Sequence, residues 1–179
     1  MIWPFKLDLL ERDAALLVKA ANVHAVSMFV RCTDEFPFIC RDERGQRYWD
    51  FVVTIAAVFL ALIHLRALNL NEKRRLKLEK EVAERLVKLY PRYARSAFER
   101  CQSYFDKTCH DLLDAGYDPK LVASDTIGAW VALEVLKHPP DTEQEFRFVR
   151  WAGTMISQPF SIWWEKHNEL KRIALRAIK

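Results

Sequence analysis

From Leu7 to about Arg31 the apolar residues Leu9, Leu10, Leu17, Ala21, Val26 and Phe29 recur at helical rather than alternating spacing, which predicts a first helix. Residues 33–47 break that pattern with Pro37, Gly45 and the charge cluster Arg41, Asp42, Glu43 and Arg44, so they read as a loop or a small hairpin. A second helix is predicted from about Tyr48 to Leu68. A third follows, with Asn71 as its N-cap, and runs to Tyr90 before Pro91. Pro91 is placed to open a fourth helix at its first position and Gly116 to close it. Asp118 and Pro119 begin a fifth, with a break near Ser124, that stops before Pro139 and Pro140. Asp141 is the expected cap of a sixth helix through about Ser157, and Pro159 kinks it or divides it from a last helix carrying Trp163, Leu170 and Ile173. The fold expected is all-α, a compact bundle of about six or seven helices in one domain spanning 1–179.

Composition is consistent with this. Of the 179 residues, 51% are hydrophobic, enough for one buried core, and no repeat or low-complexity linker divides the chain. The four glycines form no phosphate-binding loop or dinucleotide fingerprint, and neither a nucleophile elbow nor a zinc-protease histidine pair occurs. No catalytic residue, metal or cofactor is therefore assigned. The net charge of +4 is too mild to imply nucleic-acid binding. Charges interrupt the N-terminal apolar stretch, so no secretory leader is read there and a cytoplasmic location is expected.

Phe51 to Ile63 is apolar throughout except for Thr54, yet it covers roughly 20 Å, short of the ~30 Å apolar thickness of a bilayer. A buried helix is expected over a membrane span. Asp50, Thr54, Ala57, Ala61 and His64 share one strip of it, opposite bulky residues. Either small alanines admit a neighbouring helix there, or Thr54, Ala57, Ala61 and His64 line a ligand cavity. Gly128 and Ala132 share a face of helix five and predict a close backbone crossing.

The other constellations read as ordinary surface or core. Cys101 and Cys109 stand about 12 Å apart along a helix, too far for one zinc. Asp106 with His110 and Glu134 with His138 place a carboxylate one turn before an imidazole, which suits solvated pairs on outer faces. Lys73, Arg74, Arg75, Lys77 and Lys80 are interleaved with glutamates as in a solvated helix face. Trp163 and Trp164 are adjacent and cannot both face one core, so with Trp151 they are candidates for a partner-binding patch. The resulting expectation is a non-catalytic protein-interaction or regulatory module, binding a protein partner or a second copy of itself. The alternatives are a carrier of a small hydrophobic ligand or cofactor in the bundle interior, and a peripheral membrane protein.

Overall fold

A helix that is apolar on every side must be surrounded, and the second helix of this chain is. In a computed structural model that describes residues 5–67 and 72–157, with side chains from residue 12 onward except 65–67 and 120, every residue from Phe51 to Leu62 is buried. The helices are α1 (Phe5–Glu35), α2 (Glu43–Ala67), α3 (Glu72–Leu89), α4 (Ala94–Asp114) and α5 (Pro119–Leu136), followed by α6, described over 143–157. The fold is all-α, with no strand among the described residues. α2 packs against α1, α3, α4 and α5, which explains why Phe51 to Ile63 carries no charged residue on any side. Helices α1 and α2 are both long and apolar enough to cross a bilayer, but the α2 stretch is 72% buried by its own neighbours and the α1 stretch 44%.

Residues 36–42 form a turn, not a hairpin, and α2 begins five residues earlier than the sequence pattern suggested. The cause lies in the charge cluster itself. Asp42 accepts a hydrogen bond from the Gly45 backbone N–H at 2.6 Å, the geometry of an N-cap, and that bond holds its carboxyl below the ordinary range. Arg41 donates to the Thr33 carbonyl and to Asp34, closing the last turn of α1. Phe36 and Phe38 pin the turn by packing on Phe148, with ring centroids 5.2 and 5.9 Å away. Trp49 lies beside them, 1% exposed, and donates its indole N–H to the Ala25 carbonyl at 2.9 Å.

Pro91 ends α3 but does not start α4. The Ala94 N–H bonds to the Tyr90 carbonyl across a turn, and helix geometry resumes only at Ala94. Gly116 closes α4 as expected, at φ +78, with Gly116 N–H bonded to Leu113 and Tyr117 N–H to Leu112. α5 runs unbroken through Ser124. Thr142, not Asp141, caps α6. Its hydroxyl accepts from the Glu145 N–H at 3.2 Å while Glu145 Oε2 accepts from the Thr142 and Asp141 N–H groups, a reciprocal capping box.

The expected close crossing is present. A Cβ placed on Gly128 would meet the Val149 carbonyl oxygen at 2.0 Å, and one on Gly153 would meet the Ser124 carbonyl oxygen at 2.2 Å. Two glycines, one on α5 and one on α6, thus let the helix backbones touch. The Asn71 cap, Pro159 and the helix after it lie outside the described residues.

Candidate functional site

The N-terminal turn of α2, the α3–α4 corner and the end of α5 enclose an open groove of about 910 Å³. Its walls are aromatic. Tyr48 and Phe51 pack at 6.1 Å, and Phe51 meets Tyr90 edge-on at 5.1 Å, while Tyr93 on the far wall is 64% exposed. Tyr90 is fixed from behind, because its hydroxyl reaches into the core and accepts from the Asn22 amide at 2.8 Å. The same amide donates to Thr54 at 3.3 Å, so a polar triad between α1, α2 and the end of α3 holds this wall.

The rim is basic, formed by Arg44, Arg47, Arg92, Arg100 and Lys137, with Asp42 the one acid among the lining residues. Arg47 pairs with Glu43, and Arg100 donates through Nε and Nη2 to Glu134 Oε1, both at 3.1 Å. Among the described residues no carboxylate stands within ion-pair distance of Arg44, Arg92 or Lys137. Positive charge is therefore left over at the groove.

Lys137 reaches the groove by a backbone device. It adopts φ 69 just past the end of α5, a left-handed conformation costing roughly 1 kcal/mol for a residue with a Cβ. Its ammonium lies 3.9 Å from the centre of the Tyr48 ring and donates to the Tyr48 hydroxyl. That hydroxyl donates in turn to Glu134 Oε2 at 2.8 Å. Burial first, and the Glu134 carboxylate second, push the Tyr48 hydroxyl above its ordinary range, so it remains a donor at physiological pH.

Glu134 thus corrects the sequence reading. It faces inward, its side chain 15% exposed, joined to α2 and α4, and it does not pair with His138. The left-handed turn at Lys137 takes His138 out of helical phase, and its Nε2 lies instead 3.5 Å from Glu145 Oε1. His110 likewise pairs forward with Asp114 at 3.3 Å, both well exposed, and not with Asp106. The four cysteines are free thiols, and Cys109 reaches Thr126 at 3.5 Å.

Thr54, Ala57 and Ala61 are buried, 0%, 5% and 0% exposed, against neighbouring helices. His64 is exposed at the end of the strip, its Nδ1–H donating to the Leu60 carbonyl at 2.8 Å. None of the four is among the residues that line the groove. Trp151 is half-buried, stacked on Phe148 at 6.5 Å and 23°, and Trp163 and Trp164 lie outside the described residues. The groove residues drew no notice in the sequence as a group, because they come from four separate segments. The one local signal was the run of arginines flanking Tyr48 and Tyr90. No protein family model, curated protein or solved structure matches this chain.

Proposed function

We propose that the chain is a non-catalytic interaction module whose groove receives an acidic segment of a protein partner, with one aromatic or branched apolar side chain seated between Tyr48, Phe51, Tyr90 and Tyr93. The observation that carries this reading is the combination of aromatic walls with a rim where, among the described residues, no carboxylate stands within ion-pair distance of Arg44, Arg92 or Lys137. Burying one Leu or Phe side chain contributes about 1.5–3 kcal/mol, against 0–1 kcal/mol for each exposed ion pair. The apolar anchor therefore supplies affinity, and the rim selects the sign of the partner's charge and speeds encounter.

Fluorescence anisotropy with labelled peptides tests this. Peptides bearing a central Phe or Leu flanked by Asp and Glu are expected to bind at least tenfold more tightly than the same peptides flanked by Lys, and Arg92→Glu is expected to abolish the preference. Equal affinity for the two peptide sets would overturn the reading, as would tighter binding of an oligonucleotide of matched charge.

A small anionic ligand with an apolar body is a second reading, supported by the groove's volume of about 910 Å³, within the ~300–1,000 Å³ range of small-molecule sites. Native mass spectrometry of freshly purified protein separates the two, since a carrier retains mass beyond the polypeptide.

A further inference from the structure

Where α5 gives way to α6, His138, Asp141 and Glu145 bring three donor atoms within 4.8 Å of one another. We propose that these side chains bind a single divalent transition-metal ion of the zinc type, with its remaining coordination position open to water. This site shares no donor with the groove reading and stands independently of it.

Three observations shape the assignment. First, His138 Nδ1 lies 2.8 Å from the Pro139 carbonyl oxygen, so Nδ1 donates there and Nε2 is the ring atom that a metal ion would meet on the side of the carboxylates. A ring N–H given to a backbone carbonyl is the usual way a metal-binding histidine is oriented. Second, Nε2 and Glu145 Oε1 are 3.5 Å apart. Two ligands about 2.1 Å from one zinc ion at a tetrahedral angle are separated by about 3.4 Å, so this pair already has the required spacing. Third, Glu145 Oε2 is held by the backbone N–H groups of Asp141 and Thr142 at 2.9 and 3.2 Å, which fixes the carboxylate and presents Oε1 to His138.

Access and competition also favour the ion. The His138 side chain is 49% exposed and Asp141 is exposed, so an ion can enter from solvent and Asp141 can swing to complete the set. The nearest basic neighbour in sequence, Lys137, is turned away onto Tyr48. One imidazole with two carboxylates suits zinc, cobalt or manganese better than calcium, which takes six to eight oxygens.

The test is isothermal titration of the full chain, stripped with chelator, against zinc chloride, with elemental analysis of the washed complex. One zinc per chain is expected, with at least a tenfold loss of affinity in both His138→Ala and Asp141→Asn. Zinc is expected to raise the melting temperature of the wild-type chain and leave that of His138→Ala unchanged, while calcium shifts neither chain. Both substituted side chains are partly or fully exposed, and circular dichroism checks that each variant folds. Asp141→Asn alone decides if His138→Ala does not. Cys40 lines a small cavity with His138 and Glu145, so Cys40→Ser is titrated in parallel and is expected to retain its zinc. Absence of stoichiometric zinc, undiminished affinity in the variants, or loss of zinc in Cys40→Ser alone would overturn the assignment.

Discussion

Replacing Gly128 by alanine sets two opposing effects against each other, and their magnitudes decide the sign. Alanine is the better helix former by about 1 kcal/mol, so at an open helical position the change stabilises. At Gly128 the new methyl would sit 2.0 Å from the Val149 carbonyl oxygen and 2.9 Å from the Gly153 nitrogen. Both obstacles are backbone and cannot rotate aside, so α5 and α6 must separate by more than about 1 Å at the crossing, loosening buried Ile127, Val149 and Ala152. Overpacking of this severity costs about 3 kcal/mol, which leaves a net destabilisation of about 2 kcal/mol. Gly153→Ala, opposed by the Ser124 carbonyl oxygen at 2.2 Å, is expected to cost a similar amount. Because either methyl pries open the same crossing, the double variant is expected to lose about 1 kcal/mol less than the sum of the singles. Gly116→Ala is the control. Nothing stands within 4 Å of its Cβ position but φ is +78, so only conformational strain of about 1 kcal/mol applies. Urea denaturation followed by circular dichroism measures all four. A Gly128→Ala chain as stable as the wild type, or strict additivity in the double variant, would refute the backbone-contact account.

Thr142→Ala removes the hydroxyl that caps α6 and is expected to destabilise the chain by about 1 kcal/mol in the same assay, with Thr142→Ser retaining most of the stability. The carboxyls of Asp42 and Glu145 sit below their ordinary values of 3.8 and 4.5, each chiefly through a backbone hydrogen bond, from Gly45 and Asp141 respectively. The unfolded chain takes up those protons at higher pH than the folded one, so their contribution is complete above about pH 4.5 and is lost as pH falls through the folded values. An Asp42→Asn, Glu145→Gln double variant should therefore show a shallower loss of urea midpoint below pH 4.5 than the wild type, and parallel curves would contradict this. Burial raises the Cys32 thiol to about 12 and the Cys101 thiol well above its usual range, whereas Cys40 is exposed. Iodoacetamide at neutral pH should modify Cys40 first in the native protein, read by peptide mass spectrometry, with Cys32 and Cys101 labelled only after unfolding.

What the amino-acid order reveals here depends on whether the signal is local. The run Phe51 to Ile63 needs no partner to be read as a buried helix, and Gly128 shows itself because its face of α5 is otherwise apolar. Gly153 offers no comparable cue: its role exists only because α5 crosses there. Arg41 to Arg44 reads as a charged loop by composition, while a single hydrogen bond donated by the Gly45 N–H to Asp42 makes it the start of α2. Glu134 looked like a surface residue on a wheel because a wheel counts faces of one helix and contains no neighbours. Its partners Tyr48 and Arg100 lie 86 and 34 residues away. The groove was hidden for the same reason, its walls and rim being assembled across the ends of α2, α3, α4 and α5.

The enclosure of α2 on all sides has a cost during synthesis. Its last residue, Ala67, emerges some 70 residues before α5 is complete at Leu136. At about 5–20 residues per second that is an interval of roughly 3–14 s in which the face of α2 that α5 covers lies open, with α1 already beside it. Newborn chains stalled before Leu136 would present the surface that chaperones and aggregates compete for, so α5 acts as the cover that completes the shelter α1 begins.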